Sequence, residues 1–298
     1  MNALDENHFE VSKCLIRYGA QVENKDQDGR TALYFARDQC TTKFLIDNGA
    51  QISVKNNNGN TPLHTAVHWG HLEVILYLND QGAQLEDKTN LGRTPLHLAV
   101  DKSHLEVIQH LIDLGAQIEA NDTDGCTPLY MAQNQRVAQC LIDHHGAQIN
   151  ITDDDGWTPL HYFVEEFRFD NVQYLSNCGA QIEAKDKDGQ TPLHFAVKKG
   201  SLEIVKLLVE KGANLEAKEE DGWTSLHFAV NEGYLEIVKL LVEKAAIIDA
   251  PNDNNETPFY LAYKNNAKEI SKYLLEKKRE SPQENISNKA PCIICLEP

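Results

Sequence analysis

Apolar residues in this chain fall into pairs of short helical stripes that return at a regular interval. The clearest instance, DKDGQTPLHFAVKKGSLEIVKLLVEKGANLEAK, runs from Asp186 to Lys218. Its second half carries Leu202, Ile204, Val205, Leu207, Leu208 and Val209 around most of a helical circumference, with only Glu203, Lys206 and Glu210 between them. Those three polar positions share one stripe of a helix, so neighbours on both sides must cover the rest. Ahead of it, Thr191 is a good N-cap and Pro192 suits the first helical position, where its missing N–H costs nothing. A shorter helix is therefore predicted to begin there and to be broken at Gly200. Gly189 permits a left-handed residue before the first helix, and Gly212 follows the second as its left-handed C′ residue. Ala213 to Lys218 then leads out toward the next turn at Asp221–Gly222 as a short extended finger.

T-P-L-H or a near variant starts at Thr31, Thr61, Thr94, Thr127, Thr158, Thr191, Thr224 and Thr257. Five of the seven steps are 33 residues, and the exceptions are 30 (Thr31 to Thr61) and 31 (Thr127 to Thr158). Both short units also replace the motif's histidine, with Tyr34 and Tyr130. A helix pair this apolar cannot stand alone, so the fold must be a solenoid stabilised between nearest neighbours.

The period, together with TPLH-x-A, G-x-L-E-[IV]-[VI] and G-A-x-[IL]-x-A, resembles the ankyrin repeat. The resemblance covers residues 1 to about 280: a degenerate leading unit at 1–25, then eight units starting near 26, 56, 89, 122, 153, 186, 219 and 252. It implies an all-α stack of antiparallel helix pairs with projecting β-hairpin fingers, and a concave face that binds proteins.

Several units depart from the pattern. The short ones are trimmed between their helices, at Tyr34 to Thr42 and Tyr130 to Val137, and weaker joints are expected there. Ala245 stands where glycine is expected, at a cost of about 1–2 kcal/mol if it is left-handed, unless the turn is remodelled. Asn255 replaces another glycine, which asparagine tolerates. The last helix, AKEISKYLLEKKRE, is polar enough to serve as a terminal cap, and residues 281–298 read as a disordered polar linker and tail.

A formal net charge of −17 would repel a phosphate backbone or an anionic membrane surface, so neither is expected as a ligand. Cys14, Cys40, Cys126, Cys140 and Cys178 are scattered without the dense pairing of a secreted scaffold, and the N-terminus carries acids where a signal peptide carries bases. A soluble monomer in a reducing, cytoplasmic setting is expected.

By alignment with the family, exposed variable positions fall on the finger before TPLH and at the end of the first helix. The fifth unit holds Asp153, Asp154, Trp157, Glu165 and Glu166 there, and the seventh holds Glu220, Asp221, Trp223, Asn231 and Glu232. Aromatic anchors within an acidic surround suit a protein partner with a basic surface. Two readings stand for the tryptophans, interface anchor or packing between fingers, and the same pair applies to His68 and Trp69. The motif histidines His64, His97, His161, His194 and His227 recur with the repeat, which marks them as hydrogen-bonding scaffold. The D-x-D-G strings at Asp26, Asp122, Asp153 and Asp186 resemble calcium loops, but Phe35, Met131, Tyr162 and Phe195 occupy the position that needs a bidentate glutamate.

No catalytic residue is assigned: phosphate-binding, H-E-x-x-H and G-x-S-x-G motifs are missing from the sequence. The closing PCIICLEP places Cys292 and Cys295 at a spacing that lets two thiolates share a zinc ion. This resembles the opening of a RING finger, with an unstructured end carrying an incidental cysteine pair as the competing reading. Zinc is expected only if such a module is completed beyond Pro298; otherwise no cofactor is expected. The leading expectation is a protein-interaction scaffold rather than an enzyme, with the substrate-recognition arm of a RING-type ubiquitin ligase as the alternative. A secreted effector that mimics such scaffolds is a third reading, with no export signal in its favour.

Overall fold

The computed structural model describes residues 3–280. The linker proposed at 281–298, with Cys292 and Cys295, lies outside the described residues. The chain opens with α1 (Ala3–Arg17) and α2 (Gln39–Asp47). The pairs α3 (Pro62–Trp69) and α4 (Leu72–Asp80), then α5 (Pro95–Asp101) and α6 (Leu105–Asp113), follow. After α7 (Gln135–Gln139) come α8 (Pro159–Glu165) with α9 (Phe169–Asn177) and α10 (Pro192–Lys198) with α11 (Leu202–Glu210). The array ends with α12 (Ser225–Asn231), α13 (Leu235–Glu243), α14 (Pro258–Lys264) and α15 (Lys268–Glu280). First helices pack on first helices along one row and second helices pack along another, so the apolar core runs the length of the stack. In α11, Glu203, Lys206 and Glu210 are exposed while Ile204, Val205, Leu207 and Leu208 are buried, as their spacing predicts.

The expected β-hairpin fingers are turns instead: among the described residues there is no strand. Each finger closes within five residues, with the N–H of Asp153 donating to the carbonyl of Trp157 (2.9 Å) and that of Asp186 to Gln190 (3.0 Å). Neighbouring fingers share too few bonds for a ladder. The N–H of Asp154 donates to Asp124, that of Lys187 to Asp155 and that of Glu220 to Asp188, each at 3.0 Å. Glutamates reinforce this stacking one unit further on: Glu86 accepts from the Gln117 N–H, Glu119 from Gln148, Glu183 from Asn214 and Glu216 from Ile247, all at 2.8 Å.

The motif histidine joins one unit to the next. Nδ1 of His64, His97, His161, His194 and His227 accepts from the backbone N–H of the threonine three residues earlier. The ring proton is therefore on Nε2, which in four of the five donates to a carbonyl in the following unit, from His64 to Arg93 (3.2 Å), His97 to Cys126 (3.1 Å), His161 to Gln190 (3.3 Å) and His227 to Glu256 (3.1 Å), while His194 donates to Ala217 (3.0 Å) at the end of its own unit, beside the next finger. All five imidazoles are fully buried. Burial pushes His64, His161 and His194 down to about 4 and lowers His97 and His227, so the rings are neutral near pH 7.

In the short units the first helix shrinks to a 3-10 turn, Ala32–Phe35 or Pro128–Met131. The substituted tyrosines still reach the next finger. Tyr34 Oη lies within hydrogen-bonding distance of the carbonyls of Val54 (2.6 Å) and Asn60 (2.5 Å), and Tyr130 Oη lies 2.7 Å from those of Ile151 and Trp157. What tyrosine lacks is the acceptor for its own threonine: Thr31 Oγ1 and Thr127 Oγ1 are buried without a hydrogen-bond partner. The fourth unit also gains a residue, since Asn134 to Gly146 spans twelve positions against eleven from His104 to Gly115. It is absorbed as a π-helical segment at Cys140–His144.

Ala245 is left-handed at φ 71°, so the seventh unit keeps the regular turn with its strain rather than remodelling it. Asn255 is left-handed at φ 59°.

Two outcomes follow from the joints. Thr94→Val removes a satisfied buried hydroxyl and should cost about 1–2 kcal/mol, whereas Thr127→Val should cost less than about 0.5 kcal/mol, read by urea unfolding. The histidines' folded-state values lie below the unfolded value of about 6.5, so their contribution is complete above that pH and is lost as pH falls toward 4. Unfolding near pH 5 should take up close to one proton at each of His64, His161 and His194. A urea midpoint that stays flat between pH 7 and 5 would contradict this.

Candidate functional site

Finger tips and the ends of the first helices form the surface that the repeat holds in place. Within each tip the first side chain is used for the turn itself. Asp153 Oδ1 accepts from the N–H groups of Asp155 (2.9 Å) and Trp157 (2.8 Å), Asp186 Oδ1 from Asp188 (3.1 Å) and Gln190 (2.7 Å), and Glu219 Oε1 from Asp221 (3.0 Å) and Trp223 (2.9 Å). The apparent calcium strings thus spend their leading carboxylate on backbone donors. Burial raises the pKa of Asp153 and of Asp186 despite these bonds. The next two positions of each tip point outward.

In the fifth unit Asp154 is exposed at its tip, but the other residues are engaged. Trp157 is half-buried and sits edge-on to Phe195 of the following unit, with ring centroids 4.7 Å apart. Glu165 forms an ion pair with Lys199, also of the following unit, and Glu166 is exposed 3.9 Å from Arg168. The fifth-unit set is therefore partly neutralised and partly packed, and of the two readings of Trp157 its geometry matches packing between units.

The seventh-unit set is brought together. Glu220, Asp221, Trp223, Asn231 and Glu232 all line one groove of about 580 Å³, joined by Asp188, Lys198, Phe228 and Asn254 from the same and adjacent units. Trp223 leans on Phe228 of its own unit at 5.1 Å. Lys198 donates to Gln190 Oε1 (2.9 Å) and lies 5.3 Å from the Phe228 ring centre.

His68 and Trp69 divide the two readings between them. His68 is half-buried, its carbonyl accepts from His104 Nε2 (3.1 Å), and burial lowers its pKa. Trp69 is 65% exposed and touches the His68 ring edge at 5.0 Å, so it is available to a partner.

Sequence reasoning missed Phe228, whose importance depends on the neighbouring unit, and Leu91, an apolar tip where other fingers carry Asp or Asn. It also missed Phe167, exposed and left-handed at φ 57° where Gly70 and Gly200 stand in other units. Its signal was present as a missing glycine. A second hollow, of about 660 Å³, is lined by Ser103, Leu105, Asn134, Arg136 and Asp170, beside the shortened fourth unit.

The family described as Ankyrin repeats (3 copies) matches residues 1–89, 36–122, 81–153, 129–219 and 214–286. Among solved structures, the ankyrin repeat domain of Bcl-3, described as a unique member of the IkappaB protein family, is similar at 34% identity and a TM-score of 0.64. The match covers 72% of this chain and 100% of that one. Comparison with curated proteins gives no match.

The difference between packed and available indoles is measurable. Trp157→Ala should destabilise the fold by about 3 kcal/mol, and Trp69→Ala should stay within about 0.5 kcal/mol, both by denaturant unfolding.

Proposed function

The chain belongs to the ankyrin-repeat family, and we propose that it is a protein-interaction scaffold whose finger tips and first-helix face hold a partner with a basic surface. The observation that carries this is where the charge lies. Residues 153–185 hold seven acidic and two basic residues, residues 219–251 hold the same numbers, and residues 186–218 between them hold five acidic and six basic. At the tips of these acidic units Asp154, Asp155, Glu220 and Asp221 are exposed, with no ion pair among the described residues. Hydrogen-bonded turns fix the backbone beneath them, so their field is aimed before a partner arrives, and charge of this kind steers association and selects sign.

Similarity to the Bcl-3 ankyrin domain supports a protein as the ligand, and proteins of this family generally act as non-enzymatic adaptors. Cys14, Cys40, Cys126, Cys140 and Cys178 are free thiols, which suits a reducing setting.

Affinity capture with the whole array, followed by binding measurements on each purified partner, tests the reading. Retained partners should carry a basic surface, and reversing Asp154 and Asp221 together to lysine should weaken binding about tenfold while flattening its salt dependence. Partners that bind the reversed array equally well would remove the acidic tips from the function.

A further inference from the structure

We infer that the groove beside Trp223 takes an arginine of an extended basic segment in the partner, its guanidinium stacked on the indole and paired with the surrounding carboxylates. This rests on the scaffold reading and names the partner's chemistry at one place.

The first argument is a comparison within the chain. Trp157 and Trp223 stand in near-identical contexts, DGWTPLH and DGWTSLH. Phe195 of the following unit covers Trp157 at 4.7 Å, but the residue corresponding to Phe195 in the unit after Trp223 is Leu261, which is smaller and buried. Trp223 leans on its own unit's Phe228 instead, and the groove of about 580 Å³ lies alongside it.

The second argument is charge. Asp188, Glu220, Asp221 and Glu232 are exposed around the groove, and none of them enters an ion pair among the described residues. The one basic residue lining it, Lys198, already sets its ammonium 5.3 Å from the Phe228 ring centre, so this aromatic row accepts a cation within the chain itself. A planar guanidinium can stack on an indole and still meet carboxylates two bonds at a time, which an ammonium cannot do. The groove is too small for a folded domain, and an extended segment lying across the units can place a side chain in it.

The test uses the full chain and a synthetic peptide, acetyl-Gly-Arg-Gly-Arg-Gly-Arg-Gly-amide, with a citrulline counterpart that keeps the shape and removes the charge. Calorimetry and tryptophan fluorescence should show saturable binding of the arginine peptide, at least about tenfold tighter than the citrulline one. Glu220→Gln with Asp221→Asn should weaken it about tenfold. Glu203→Gln with Glu210→Gln, on the outer stripe of α11, makes the same change in net charge and should leave affinity within about twofold. Equal losses in the two double variants would reduce the effect to diffuse attraction and overturn the assignment. No binding of the arginine peptide would overturn it as well, while partner capture by the array would still stand or fall on its own.

Discussion

A proton on a buried imidazole nitrogen, donated from one unit to the finger of the next, is the contact on which this array's geometry depends. Apolar burial between helix pairs holds the stack together, but it is non-directional and cannot by itself fix how one unit sits on another. The histidine supplies the direction. Its Nδ1 is committed to the threonine at the start of its own helix, so Nε2 must be the donor, and in four of the five it finds a carbonyl in the following unit, as His97 does at Cys126. Because the ring is buried it stays neutral, and the joint carries no charge that would need a counter-ion. The bonds end at or beside the roots of the fingers, so the joint that stabilises the core also holds the outer surface in place.

The two short units show which part of this joint is indispensable. In both, the tyrosine that replaces histidine still reaches the carbonyl of the next finger. What is given up is the local bond to threonine, and the hydroxyls of Thr31 and Thr127 are left buried and unpaired. The contact between units is kept and the contact within the unit is sacrificed, as expected where stability resides in nearest-neighbour interfaces. Tight loops in these units are also tied by side-chain caps that the longer units do without. Asp38 accepts from the Thr41 N–H (2.8 Å) and Asn134 from the Val137 N–H (3.2 Å).

The fold was legible because the repeat states the same local instructions many times. Threonine, proline and glycine at fixed offsets mark helix starts and left-handed stops, and in α11 the three polar positions are exposed while four of the six apolar ones are buried. Two things could not be read. The π-helical segment was hidden because three residues lost before α7 and one gained after it appear only as a period of 31. The fate of the tryptophans was hidden because it depends on a residue one unit away, Phe195 in one case and Leu261 in the other. Local motifs describe what a unit does to itself, and exposure is a property of two units together.

The same distinction makes the two acidic units unequal, although their composition is alike. In the fifth unit, Lys199 from the sixth neutralises Glu165 and Phe195 from the sixth covers Trp157, so the sixth unit closes over its predecessor. Facing the other way, toward the seventh unit, its one basic residue lining the groove is Lys198, held by Gln190 and lodged against Phe228. The eighth unit does not cover the groove with an aromatic, and its own Lys264 is drawn off to Glu256. Carboxylates that a neighbouring unit satisfies contribute to the stack, and those it leaves open can contribute only to something outside the chain. By that criterion the surface from Asp188 to Glu232 leaves more carboxylates open than its counterpart between the fifth and sixth units, where Glu165 and Glu166 are paired.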